Sequence, residues 1–116
     1  MIRTQKLICL IQKKKATIKF TDLEGNLINE DKTGFFAKST ILKGVDRVRI
    51  TKKALTDERF LGFGDKTKPN NLRGHQFINW NSDAFSYDQD TDPLYRTIPF
   101  YYGIHEKGAY LSLIHI

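Results

Sequence analysis

The sequence predicts an all-β protein. Three observations carry that expectation. Short apolar segments alternate with polar residues at the period of a strand, as in Thr17-Ile18-Lys19-Phe20. Glycine and asparagine punctuate these segments, at Gly25-Asn26, Gly34, Gly44 and Asn70-Asn71. No stretch holds the 3.6-residue apolar period of a substantial helix. Together they point to an antiparallel β-sandwich.

The elements follow in order. Leu7–Ile11 is an apolar run too short to span a bilayer, and lysines follow it rather than a cleavage site, so it reads as a strand. Lys13-Lys14-Lys15 reads as a solvated turn into the strand at Thr17. Gly25-Asn26 with Leu27-Ile28 beyond it is a hairpin signal. Phe35-Phe36 and Val45–Ile50 supply further short strands, and Thr51–Glu58 has room for one helical turn. Phe60–Gly64 is a glycine-spaced aromatic strand, Lys66–Gly74 a polar loop, and His75–Trp80 strand-like. Asn81–Pro93 is a long polar loop. Ile98, Phe100 and Tyr102 fall on one face of a strand, with Pro99 marking an edge position or a bulge. Gly108-Ala109-Tyr110 begins a last strand.

Composition narrows the function classes. A chain of 116 residues makes one domain and is too short for a catalytic (β/α)₈ barrel, which takes about 250. The net charge of +6 raises nucleic-acid binding. Against it, Lys and Arg are interspersed with acids, and the aromatic-rich stretch from Phe77 to Tyr102 carries Asp83, Asp88, Asp90 and Asp92, which repel phosphate. Neither nucleic acid nor membrane is expected as a partner. Cys9, flanked by Ile8 and Leu10, is a lone cysteine and reads as an inert, buried thiol.

Several chemical signals fail on spacing. Gly62-Phe63-Gly64 starts like a dinucleotide fingerprint, but Thr67 stands where the third glycine belongs. Asp88, Asp90 and Asp92 have the spacing of a calcium loop, yet Pro93 and Pro99 occupy the positions that need glycine and glutamate. His75, His105 and His115 lack metal-ligand spacing. What remains is Trp80-Asn81-Ser82-Asp83-Ala84-Phe85-Ser86-Tyr87-Asp88. Aromatic faces suit the C–H faces of sugar rings, and carboxylates and amides suit their hydroxyls. Composition leaves two uses open: a sugar-facing loop, or core anchors with solvated acids.

Four blocks resemble glycoside hydrolase family 31. Phe60–Thr67 resembles its "F-Y-G-L-G-E-K-T", and Asn71-Leu72-Arg73-Gly74 is similar to its "N-K-R-G". Trp80–Asp88 resembles "W-N-T-D-A-F-G-Y-D", and Asp92–Phe100 resembles "D-P-L-Y-K-S-I-P-F". The blocks keep the family's order and spacing, and Thr17–Glu30 is similar to a further family segment. The resemblance covers the chain from about Leu7 to Tyr110. Leu61, Asp65 and Lys68 depart from the motif, and the shorter carboxylate at Asp65 alters whatever contact it makes.

The resemblance implies a partial N-terminal, galactose-mutarotase-like β-sandwich over residues 1–110, followed in the parent enzyme by a (β/α)₈ barrel packed against it. It implies an exo-acting, retaining α-glucosidase acting on α-linked glucosides or xylosides, with no cofactor or metal. Retention needs two carboxylates about 5–5.5 Å apart. In the family both are barrel aspartates, the nucleophile in a "D-M-N-E" type motif, so this chain holds no catalytic residue and is expected to be inactive alone. By motif position Asp88 is the first candidate for binding substrate and Asp83 the second, with Phe85 and Tyr87 as a wall. Trp80, Asn81 and Arg73 support the loop. The alternative is a stand-alone carbohydrate-binding β-sandwich without catalysis.

The last six residues, Leu111–Ile116, stand apart. They are also what the DNA string CTG TCT CTT ATA CAC ATC encodes, the start of a transposase end sequence used as a sequencing adapter; the alternative is a genuine apolar C-terminal strand. The native frame is expected to end at Tyr110, where the family continues differently.

Overall fold

A computed structural model describes residues 1–34 and 49–113. Every regular element among them is a strand. Two compact units divide at Leu55/Thr56.

The first unit, Met1–Leu55, holds an antiparallel sheet in the order β1 (Ile2–Arg3), β2 (Ile8–Gln12), β3 (Thr17–Thr21), β4 (Leu27–Thr33), β5 (Thr51–Lys52). β2 and β3 form the hairpin whose tip is the lysine run, with Cys9 opposite Phe20 and half-buried. Gly25, at φ 89°, turns the chain between β3 and β4, while the Asp22 carboxylate takes the Asn26 backbone and side-chain N–H groups at 2.7 Å each. The Asn26 side chain is the main reason that Asp22 titrates below the usual carboxylate range. Asp31 on β4 accepts the Ile18 N–H at 2.7 Å and pairs with Lys52 of β5 at 2.5 Å. Thr51-Lys52 is thus a strand, and the room for a helical turn over Thr51–Glu58 is not used: Lys53 N–H also bonds back to the Glu30 carbonyl. Phe35-Phe36, Gly44 and most of Val45–Ile50 lie outside the described residues.

The second unit, Thr56–Ile116, is built on the sheet β6 (Arg59–Gly64), β7 (Thr97–His105), β8 (Gly108–Leu113) in that order. Its core is aromatic. Tyr101 is buried, stacks on Phe63 at 5.0 Å, and meets Phe60 and Tyr110 edge-on at 5.9 and 6.2 Å. Phe77 reaches Phe63 from the loop side at 4.8 Å. Each such pair contributes about 0.5–1.5 kcal/mol beyond burial. Leu72 and Leu94 are the other buried apolar side chains.

Glycines shape β6. Gly62, Phe63 and Gly64 all have positive φ, and the register jumps from Gly62↔Tyr101 to Gly64↔Thr97. A step from Gly62 to Gly64 on β6 thus spans Tyr101 to Thr97 on β7, so the extra residues of this β-bulge lie on β7. Pro99 is among them, on the central strand of the sheet, so the bulge and not an edge position accommodates the proline; among the described residues β8 pairs from Phe100 onward. Glu58, 2% exposed, precedes β6, and its carbonyl accepts from Arg73 at 2.7 Å.

Residues 75–80 form no strand. The stretch reads as strand-like, but the Ile78 N–H bonds to the Asp92 carboxylate instead of a neighbouring strand. β8 continues through Leu113, opposite Phe100.

Candidate substrate-facing loop

The segment from Ile78 to Leu94 leaves and rejoins the second unit through hydrogen bonds that its own sequence supplies. At the entry, Asn81 Oδ1 accepts the Thr97 N–H at 2.8 Å, and the Ser82 N–H reaches the Leu94 carbonyl at 3.1 Å. These tie the outgoing strand-like stretch to the start of β7. At the far end, Asp88 closes a tight turn. Its Oδ1 accepts the Asp90 N–H and the Thr91 hydroxyl, each at 2.9 Å, and its own N–H bonds to Thr91 Oγ1 at 3.0 Å. Asp and Thr two and three residues apart favour this local geometry.

The turn has an electrostatic signature. The Asp90 N–H, then the Thr91 hydroxyl, stabilise the ionised carboxylate and hold Asp88 below the usual aspartate range. Both bonds fall on Oδ1, which leaves Oδ2 outside the turn. Asp88 is exposed, and so is Asp83.

The aromatic side chains of the loop face water. Phe85 is 99% exposed, Trp80 68% and Tyr87 59%. Among the described residues none of these three side chains is buried. Tyr87 packs edge-on against Tyr95 at 6.2 Å, while the Tyr95 hydroxyl donates to the Ala84 carbonyl across the base of the loop. Ser86, between Phe85 and Tyr87, has φ 62°. The family motif has glycine at this place, and the left-handed backbone explains why: a side chain there costs about 1–2 kcal/mol.

The expected support from Trp80 and Arg73 is distributed differently. Trp80 is mostly in solvent. Arg73 holds the Asn71–Gly74 turn to the start of β6 through the Glu58 carbonyl, and Asn71 Oδ1 accepts the Phe60 N–H at 3.2 Å. The loop itself is gripped by three successive side chains beyond the end of β6. Lys66 Nζ donates to the Ile78 carbonyl at 2.7 Å and to Asp92 at 3.3 Å, and lies 5.1 Å above the Phe77 ring. The Thr67 hydroxyl reaches the Gln89 and Thr91 carbonyls at 2.9 and 3.2 Å. Lys68 Nζ meets the Gln89 carbonyl and the Asp90 carboxylate, each at 3.1 Å. Sequence reasoning missed Lys66, Thr67 and Asp92 as supports. Their signal was present: "D-K-T" and "D-P-L-Y" belong to blocks whose order is fixed. An open cleft of about 460 Å³ lies between the two loops, lined by Thr67, Lys68, Pro69, His75, Gln89 and Asp90.

Chemically, the arrangement offers exposed ring faces and carboxylate acceptors on a backbone tied at both ends. Ring faces of this kind suit the apolar faces of a polyol, and carboxylates suit its hydroxyls.

The model of the "Glycosyl hydrolase 31 N-terminal galactose mutarotase-like domain" family matches residues 1–115. The chain is 33% identical over 54 residues to Alpha-glucosidase 2 of Bacillus thermoamyloliquefaciens, covering 46% of this chain and 7% of that protein. Its structure is similar to that of a Flavobacterium johnsoniae GH31 dextranase complexed with glucose, with a TM-score of 0.68 and 30% identity over 86% of this chain and 12% of that one. The same values hold for a mutant of that dextranase complexed with isomaltotriose. The chain thus spans a small fraction of the length of the relatives it matches. Over nearly its whole length it belongs to the glycosyl hydrolase 31 N-terminal galactose mutarotase-like domain family.

Proposed function

We propose that the chain is part of an exo-acting, retaining glycosidase that hydrolyses α-linked glucosides or xylosides, and that its Asn81–Pro93 loop borders the sugar pocket on the leaving-group side. The observation that carries this reading is the exposure of Trp80, Phe85 and Tyr87 beside Asp83 and Asp88 on a loop whose two ends are tied down. Large aromatic side chains in water on an ordered loop are poised for contact. The relatives' names, an α-glucosidase and a dextranase, support an α-glucoside as substrate.

In this reading the barrel supplies both catalytic aspartates, and this chain supplies position. Phe85 and Tyr87 cover the apolar face of the leaving-group sugar. Asp88 Oδ2 accepts a hydrogen bond from one of its hydroxyls while Oδ1 stays in the turn, and Asp83 offers a second acceptor. A charge-assisted bond of this kind contributes about 1.5–3 kcal/mol, roughly 10–100-fold in kcat/KM.

The test is Asp88→Ala in the full-length enzyme, with Asp88→Asn as the variant that keeps an Oδ1 acceptor for the turn. Both should lower kcat/KM for a disaccharide more than for an aryl glucoside with the same glycone. Equal loss on the two substrates would remove the leaving-group role. Measurable glucan binding by the 116-residue chain alone, with no longer gene product, would favour a stand-alone binding module.

A further inference from the structure

We propose that Lys66 is a positioning residue for the reaction, holding the two ends of the substrate-facing loop in register; this rests on the reading of that loop as a pocket wall. The Lys66 side chain is 5% exposed, and its ammonium sits where the loop begins and ends. It donates to the Ile78 carbonyl at one end and to Asp92 at the other. Asp92 in turn accepts the Ile78 N–H. One lysine and one carboxylate thereby satisfy both polar groups of a single residue and close the loop between them. The β6–β7 ladder ends at Gly64, so Lys66 adds nothing to the sheet pairing itself.

A buried ion pair is weak evidence for stability, because desolvation offsets most of the Coulomb gain. Its effect is instead directional. An ammonium with two fixed acceptors permits one separation of the loop ends, and the Phe77 ring above it blocks a shift of the stem. Thr67 adds a grip on the Gln89 and Thr91 carbonyls beside the Asp88 turn. A small displacement there moves Asp88, Phe85 and Tyr87 together, and misplacement by about 1 Å is enough to cost on the order of 100-fold in rate.

The experiment is Lys66→Met in the full-length enzyme, which keeps the apolar stem and removes Nζ. The readout is the ratio of kcat/KM for a disaccharide to that for an aryl glucoside, measured on one preparation. That ratio is independent of the fraction of folded enzyme, so a purely structural role does not move it. We expect the ratio to fall about tenfold or more, within the range expected for a positioning defect, and Lys66→Arg to restore part of it. An unchanged ratio overturns the proposal, whether both activities fall together or neither falls. Asp88→Asn in parallel separates the two claims. If it lowers the ratio and Lys66→Met does not, only the role of Lys66 fails. If Asp88→Asn also leaves the ratio unchanged, the pocket-wall reading fails with it. Should Lys66→Met give no soluble enzyme, Asp92→Asn, which removes the charged partner of Lys66 Nζ, is read by the same ratio, with the same criteria.

Discussion

Replacing Gly64 by alanine should loosen the corner from which Lys66, Thr67 and Lys68 reach the loop. Gly64 has φ 82°, where a residue with a Cβ costs about 1–2 kcal/mol. A Cβ at Gly64 would also lie 2.3 Å from the Arg96 carbonyl oxygen and 2.9 Å from Ile98 N. Both are backbone atoms, and the Arg96 carbonyl already accepts the Asp65 N–H at 2.9 Å. Relieving that overlap costs a further 1–3 kcal/mol or so, as over-packing does elsewhere. The total is about 2–5 kcal/mol, or roughly 30-fold and upward in the opening equilibrium of the β6–β7 pair. Gly74→Ala is the control: it also has positive φ, 79°, but nothing lies within 4 Å of the added Cβ, so only the conformational part applies. Hydrogen exchange followed by mass spectrometry on peptides covering 59–64 and 97–105 reads the difference. Exchange there should accelerate far more for Gly64→Ala than for Gly74→Ala. Equal effects of the two substitutions would refute the bulge and the close approach that it requires.

Two further predictions concern acid. The pKa of Asp88 is depressed in the folded chain, chiefly by the Asp90 N–H and next by the Thr91 hydroxyl. Its contribution is therefore present above the ordinary aspartate value of about 3.9 and is lost as pH falls through the lower, folded value. The Asp90 and Thr91 amide resonances should be flat at neutral pH and move only below about pH 4; a midpoint above that value contradicts the turn. Asp57 behaves in the same sense, because the Glu106 N–H donates to it at 2.6 Å, with His105 and Arg73 adding attraction. The Glu106 amide in the β7–β8 hairpin should report the same acidic window, and a shift near neutral pH would count against that bond.

Much of the fold was legible because strands with one buried face carry their pattern locally. β2, β3 and β6 to β8 fall close to where alternation and glycine placed them. The misses share a cause. Residues 75–80 read as strand-like, yet the partner of the Ile78 N–H is a carboxylate fourteen positions later, which no local pattern reveals. Pro99 sits on the central strand because β7 bulges there, between its pairs at Thr97 and Tyr101, a pairing fact invisible in either segment alone. For the candidate site, residue types alone left Asp83, Phe85, Tyr87 and Asp88 between two uses, and it was the motif resemblance that singled them out. The supports Lys66, Thr67 and Asp92 were not singled out, since a lysine bonded to a distant carbonyl looks in sequence like any solvated lysine. Trp80 was expected to pack under the loop, and its large indole is instead among the exposed groups.

The reading proposed is that this chain is one part of a longer glycosidase, and the expectation that goes with it is that the native frame departs from the present sequence after Tyr110. Sequencing the source DNA across the codon for Tyr110 tests it most directly. The account predicts that the frame continues with other codons after Tyr110, into a barrel carrying a pair of catalytic aspartates. A natural stop codon directly after Ile116 would contradict it and would leave a small, non-catalytic sugar-binding relative as the better description.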